Sequence, residues 1–160
     1  MHKQNKYMKI SIITITYNSA KTVQRALDSV QNQHYSDIEH IIVDGASSDG
    51  TREIVEKYAA DHKNVRYISE PDKGIYNALN KGIQMATGDV IGFLHSDDML
   101  YSSDSIGQIA ASFENESVDV VYGDLQYCHG DKVIRRWRRN AFRPLSLKFG
   151  WLSPHPTVYV

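Results

Sequence analysis

The chain has 160 residues, of which 41% are hydrophobic and 23% charged, and its net charge is −1, a composition typical of one globular domain. Its single cysteine, Cys128, excludes an internal disulfide and an all-cysteine metal site, and it fits a reducing compartment such as the cytoplasm. No signal peptide is recognisable, and no apolar stretch approaches the ~20 residues that a membrane span needs.

The first hundred residues alternate between strand-like and helix-like segments. Strands are predicted where β-branched and apolar residues run together, at 9–17, 39–44, 65–70 and 90–94. Helices are predicted where apolar residues recur at helical spacing, at 18–33, in the later part of 45–62 and at 75–86. Asn18 or Ser19 is expected to cap the first helix. The third helix is expected to turn Ile75, Leu79, Ile83 and Ala86 inward.

Strands and helices that alternate with short connections predict a parallel sheet with helices on both faces. In open sheets of this kind, ligands bind beyond the carboxyl ends of the strands. Four polar clusters fall at such ends, namely Tyr17-Asn18, Asp44, the turn after Glu70, and Asp97-Asp98. Their convergence on one edge of the sheet predicts a ligand site there.

After residue 101 the pattern changes. The segments predict a helix at 103–115, a fifth strand at 118–124, a β-hairpin at 125–137, a short helix at 144–149, and a loop running into a strand at 150–160. The chain stops at Val160, inside an apolar, strand-like run. A domain edge of that kind needs covering, so we expect the chain to be a fragment of a longer protein.

Charge is distributed unevenly along the chain. Residues 1–131 carry 11 Lys/Arg and 19 Asp/Glu, whereas residues 132–160 carry 7 Lys/Arg and no acidic residue. The basic 132–148 tract suits peripheral contact with an anionic membrane or a phosphate-rich partner, which would place the protein at the inner face of the membrane. Ordinary solvated charges explain the tract equally well. Nucleic acid is not expected as a partner, because the rest of the chain is acidic.

The chemistry of the strand ends points to a cation. The first strand is followed by neither a P-loop nor the dinucleotide fingerprint G-x-G-x-x-G, so no glycine-rich cradle for phosphates is predicted. The adjacent carboxylates of Asp97 and Asp98 repel each other unless something positive lies between them. Mg²⁺ or Mn²⁺ commonly uses one or two carboxylates together with substrate phosphates. The pair therefore predicts a metal that bridges an acidic protein to an anionic ligand.

The motifs SIITITYN, IIVDGASSDGT, a helix that ends in ATGD, and FLHSDD, taken in this order, resemble the family 2 glycosyltransferases. The resemblance covers about residues 8–160. It implies the GT-A fold, a Rossmann-like sheet of nucleotide-diphospho-sugar transferases, with the C-terminal β-hairpin region added to it. It also implies one donor-binding domain, in which 1–101 form the nucleotide-binding half and 102–160 begin the acceptor half. The segment GWLSPHPTVYV is similar to one found in bacterial members that assemble polysaccharides.

The resemblance also implies a role for each matched residue. The nucleotide-binding residues would be Thr16, Tyr17, Asn18, Asp44, Asn80, Lys81 and Asp97. Among these, Tyr17 would contact the base or ribose, and Asp44 would accept an N–H of the nucleobase. Asp98 would contact the metal, which is Mn²⁺ or Mg²⁺. The alternative roles are structural: Asp44 would cap the turn that follows it, and Asn80 and Lys81 would lie on a solvated helix face.

Three positions depart from the family pattern. Ile15 stands where proline is common, and we expect this difference to affect only the geometry of the strand. Gly45 stands where many members have a second aspartate, which puts the reading of the base in doubt. His95 stands where the acidic motif often begins, and it could ligate a metal or fill space.

For the reaction, the resemblance implies transfer of a sugar from a nucleotide-diphospho-sugar to a hydroxyl of a saccharide or lipid-linked saccharide, with inversion, in cell-surface polysaccharide synthesis. The general base is expected beyond Val160, and Asp124 and His155 are weak candidates. Two other readings stay open: a nucleotidyltransferase, whose Gly-x-Gly-Thr-Arg loop is absent here, and a non-catalytic nucleotide-binding module.

Overall fold

A computed structural model describes residues 8–130, 132–138, 148 and 155–160. The strands are β1 (Ile10–Thr16), β2 (Ile38–Asp44), β3 (Val65–Ser69), β4 (Val90–Phe93), β5 (Val121–Tyr122), β6 (Leu125–His129), β7 (Lys132–Trp137) and β8 (Val158–Tyr159). The helices are α1 (Val23–Gln31), α2 (Thr51–Asp61), α3 (Ile75–Met85) and α4 (Ser105–Ser112).

Six strands form one sheet in the order β3-β2-β1-β4-β8-β5, and β6 and β7 form the predicted hairpin. The first four strands are parallel, and β8 is antiparallel to its neighbours β4 and β5. The predicted α/β class and the C-terminal hairpin are therefore confirmed. The strand β5 is shorter than the predicted 118–124, and the helix predicted at 144–149 lies outside the described residues, except for Lys148.

Helices cover both faces of the sheet, as predicted. On one face, α1 and α4 pack on alternate residues of β1, including Ile10 and Ile12. The helix α2 packs beside α1. On the other face, α3 packs against Ile13 and its neighbours. Both faces of β1 are buried and both carry isoleucines, as expected for a strand in a parallel sheet.

Two local predictions were wrong. The first helix begins at Val23 rather than at Asn18 or Ser19, because Asn18 takes a positive φ of 47° and residues 19–22 form a turn. The buried residues of α3 are Ala78 and Gly82, whereas Ile75 and Ile83 are exposed. Ala86, just after the helix, packs against the core as predicted. A Cβ at position 82 would overlap the side chain of Ile13, so the small residues let the helix approach the sheet closely.

The sheet buries one histidine that should make stability depend on pH. His40 is fully buried between the hydroxyls of Thr14 and Tyr58, with ring nitrogens 3.0 and 3.1 Å from them. Burial, and then the nearby His62, lower the pKa of His40 from 6.5 to about 3. The unfolded chain therefore binds a proton at this site below pH 6.5 that the folded chain does not bind.

We expect the free energy of unfolding to fall by about 1.4 kcal/mol between pH 7.5 and pH 5.5, because one proton is taken up only on unfolding. Urea unfolding at the two pH values measures this. His40→Gln should remove most of the difference, since its side chain does not titrate. Equal pH dependence in the variant would assign the effect to other groups.

Candidate functional site

The predicted polar clusters lie at one edge of the sheet, where β1 to β4 end. Thr16 at the end of β1 is paired in register with Asp44 at the end of β2, and Asp44 is paired with Ser69 at the end of β3. The strand β4 lies on the other side of β1. The strand order therefore reverses between β1 and β4, and ligands bind at such switch points in α/β sheets.

Asp44 is completely buried below this edge. One carboxylate oxygen accepts hydrogen bonds from the hydroxyls of Thr16 (2.9 Å) and Ser47, and the other from the Ser69 hydroxyl (2.7 Å) and the Ser47 amide (3.0 Å). Burial alone would raise the pKa of the Asp44 carboxyl, but these hydrogen bonds outweigh it and lower the pKa. Asp44 thus stabilises the turn after β2, the alternative role considered for it. Its contact with a nucleobase stays a prediction.

Tyr17 and Asn18 follow β1 and differ in their surroundings. The Asn18 side-chain oxygen accepts a hydrogen bond from the Ser48 amide (3.0 Å), and the Asn18 amide donates to the Ser47 hydroxyl (2.8 Å). These bonds join the loops after β1 and β2. The side chain of Tyr17 is 66% exposed, so its ring offers an open aromatic surface.

Asp97 and Asp98 lie in the loop that follows β4. Asp98 is half-buried, and no side-chain hydrogen bond to either carboxylate is recorded among the described residues. Burial is the main cause that raises the pKa of Asp98, the Asp97 carboxylate raises it further, and the imidazoles of His95 and His155 act in the opposite direction. This is the reverse of Asp44, whose charge is satisfied by donors. The surroundings of Asp98 therefore fit a cation.

His95 and His155 lie against each other, with their Nε2 atoms 3.3 Å apart and their rings at 66°. His155 opens the short 3-10 turn that leads into β8. The two histidines were considered separately in the sequence, and their pairing was missed, because it exists only when β8 lies beside β4. The contact brings the C-terminal segment to the side of the site where Asp98 lies.

Val160, beyond which the general base is expected, continues the pairing of β8 with β4. Its amide donates to the Ile91 carbonyl at 3.1 Å, and its carbonyl accepts from the Ile91 amide at 2.7 Å. Because β8 is antiparallel to β4, the chain at Val160 runs away from the edge where Asp98 lies. The valine side chain has no group that accepts a proton, so Val160 itself is not the base. The position of the base beyond Val160 stays a prediction.

The remaining predicted residues are more scattered. Lys81 donates to the Pro71 carbonyl (3.1 Å) and pairs with Glu70 (2.8 Å), so it holds the loop before α3. Asn80 is exposed on the same helix, and Asp124 is exposed between β5 and β6. Asp72 was missed altogether. Its carboxylate lies against Gly45. The one signal in the sequence was Gly45 itself, because a residue without a side chain leaves room for a close neighbour.

Within the part of the chain that the structure describes, no group of three or more His, Cys, Asp or Glu side chains could hold a metal ion. None of the helices in the described segments is long and apolar enough to cross a membrane.

A mainly parallel sheet with helices on both faces, and with an exposed aromatic ring and paired carboxylates at its switch point, is the α/β architecture to which GT-A proteins belong. The model of the family described as glycosyl transferase family 2 matches residues 11–159. The chain belongs to this family, and the resemblance seen in the sequence is confirmed.

Several relatives and solved structures are similar to it. A PGL/p-HBAD biosynthesis glycosyltransferase of Mycobacterium bovis is 39% identical over 117 residues, which are 72% of this chain and 46% of that protein. The S. aureus protein TarS (residues 1–349), in complex with UDP-GlcNAc, has a TM-score of 0.70 at 29% identity, over 80% of this chain and 37% of that one. A mannosyltransferase from Pyrobaculum calidifontis, in complex with GDP-Man and Mn²⁺, has a TM-score of 0.62 at 26% identity, over 75% and 35%. The chain thus spans somewhat less than half the length of the curated relatives that it matches.

Proposed function

We propose that the chain forms the donor-binding part of a metal-dependent glycosyltransferase that moves a sugar from a nucleotide-diphospho-sugar to an acceptor hydroxyl with inversion, in cell-surface polysaccharide synthesis. The observation that carries this proposal is the state of Asp98. It is a half-buried carboxylate beside a second one, at the switch point of the sheet, with a raised pKa and no donor recorded among the described residues. A family 2 fold with that feature is suited to a diphosphate that arrives together with a cation.

In this proposal, Asp98 holds a divalent ion, Mn²⁺ or Mg²⁺, and Asp97 contacts the sugar or ribose. When bound, the ion supplies positive charge that offsets the charge on the departing diphosphate. The exposed ring of Tyr17 stacks against the base or ribose. Thr16, Asn18 and Asp44 hold the loops around the donor in place through the hydrogen bonds described above. The bound donors of the two structural neighbours, UDP-GlcNAc and GDP-Man with Mn²⁺, support this assignment.

The acceptor side is less complete. The contact with His95 places His155 near Asp98, so His155 is better suited to orient the diphosphate than to take a proton from the acceptor. Asp124 keeps its role as a candidate on the acceptor side. We assign the general base to neither residue and keep it beyond Val160. The acceptor, a saccharide or a lipid-linked saccharide, stays a prediction.

The basic tract supports membrane contact as a further proposal. Arg135 and Arg136 are exposed on β7, and Arg138 is exposed just after it. Exposed arginines on a hairpin suit an anionic lipid surface, whose attraction falls with rising salt. Co-sedimentation with anionic vesicles tests this, and no binding at low salt would refute it.

Isothermal titration with UDP and GDP, with and without Mn²⁺, tests the donor site. We expect at least one nucleotide to bind, and binding to be stronger by about tenfold or more with Mn²⁺, because the ion neutralises the carboxylates and the diphosphate together. Equal binding with and without metal would contradict the metal role. If donor binding is found, transfer of the sugar by the whole protein separates an enzyme from a non-catalytic module.

A further inference from the structure

One carboxylate at the edge where β1 to β4 end has not yet been given a role in binding the donor. Asp72 lies in the loop between β3 and α3. Its Oδ2 atom lies 2.7 Å from the point that a Cβ at Gly45 would occupy, and the Cδ2 atom of Tyr17 lies 3.2 Å from the same point. The carboxylate of Asp72 and the exposed ring of Tyr17 are therefore neighbours above Gly45.

The two oxygens of Asp72 differ in what they can still accept. Oδ1 accepts a hydrogen bond from the Gly74 amide at 2.8 Å. For Oδ2, no donor is recorded among the described residues. Asp44, the other carboxylate near Gly45, already accepts four hydrogen bonds, which fill the four acceptor sites of a carboxylate. Of these two carboxylates, only Asp72 retains an acceptor site for a ligand.

The loop that carries Asp72 is held in place. Lys81 pairs with Glu70 and donates to the Pro71 carbonyl. The Glu70 amide donates to the Asp44 carbonyl at 3.0 Å, which continues the β2–β3 pairing into the loop. An acceptor anchored in this way is pre-organised, so less entropy is lost when a ligand binds it.

We propose that Asp72 is the residue that reads the nucleobase, with Oδ2 accepting the ring N–H of a uracil-type base that lies against Tyr17. This inference rests on the proposed donor site and adds its base specificity. Uracil presents a ring N–H at N3. Cytosine presents a bare nitrogen at N3, which a carboxylate repels. Guanine presents two adjacent donors and would need both oxygens, and Oδ1 has one of its two acceptor sites taken by the Gly74 amide. The expected order of affinity is UDP, then GDP, then CDP.

The test compares the Kd values of UDP and CDP, measured with Mn²⁺ by isothermal titration. The chain is expected to prefer UDP by about tenfold or more, because one well-placed contact to a base edge discriminates by about 1–3 kcal/mol. In Asp72→Asn, the side-chain amide can donate to N3 of cytosine, so the UDP/CDP preference should fall to about one or reverse. Gly45→Ala should also reduce the preference, because its methyl group displaces the Asp72 carboxylate.

Asp61→Asn is the matched control, because Asp61 is an exposed carboxylate at the end of α2, at the opposite edge of the sheet. It should keep the preference of the original chain. If UDP binds with Mn²⁺ but Asp72→Asn leaves the UDP/CDP ratio unchanged, the inference about Asp72 is wrong and the donor site stands. If no nucleotide binds the original chain, the proposed function fails and this inference fails with it.

Discussion

Replacing Asp98 by Asn should remove the metal-dependent part of nucleotide binding. The carboxylate is the candidate metal ligand, and the neutral amide is a much poorer ligand for a hard cation. With Mn²⁺ present, we expect the Kd for UDP to rise by about tenfold or more, towards the value measured without metal, because the variant loses the gain in binding that the metal provides. Isothermal titration with and without Mn²⁺ measures both values.

The same variant should not lose stability, and this separates a lost site from a misfolded protein. Asp98 is half-buried beside Asp97, and its raised pKa means that the charged form is disfavoured where it lies. Removing that charge relieves repulsion and desolvation. The melting temperature without ligands should therefore stay the same or rise. Asp61→Asn serves again as the control, with unchanged binding. Retained Mn²⁺ dependence in Asp98→Asn would refute the metal assignment.

Gly92→Ala should have the largest effect on stability. Gly92 lies in β4 opposite Tyr159 of β8, and a Cβ at this position would overlap the buried ring of Tyr159, with even its Cζ atom only 2.8 Å away. Either the ring moves or β8 separates from β4. Overpacking of this kind costs about 1–3 kcal/mol. Urea unfolding measures the loss.

Gly107→Ala in α4 provides the matched control, because a Cβ there meets no atom within 4 Å. Alanine is the better helix former by about 1 kcal/mol, so this variant should be neutral or slightly stabilised. Because β8 begins directly after the 3-10 turn of His155, Gly92→Ala should also disturb the His95–His155 contact, which the histidine NMR signals would report. Equal stability of the two glycine variants would show that the Tyr159 ring repacks at no cost.

Much of the fold could be predicted because its signals are local. The β-branched run before Tyr17 and the apolar run before Asp97 are buried on both faces of the sheet, and such strands read as continuous apolar segments. When four strands alternate with helices, the strands are parallel and their carboxyl ends lie at one edge of the sheet. The sequence therefore predicted that Asp44 and Asp98 lie at the same edge as Tyr17. The inward face of α3 was predicted wrongly at Ile75 and Ile83, because periodicity favours large apolar residues, whereas close packing selected Ala78 and Gly82.

The amino-acid sequence alone therefore predicted the α/β class and the family, which are confirmed, and the edge at which a ligand should bind, which stays a prediction. Each depends on patterns within a few residues or on the order of motifs. The insertion of β8 between β4 and β5, the His95–His155 contact and the place of Asp72 over Gly45 emerged only from the three-dimensional structure. Each joins residues far apart in the chain. Such contacts are selected by packing and hydrogen bonding among assembled elements, and neither periodicity nor spacing records which distant partner a side chain will meet.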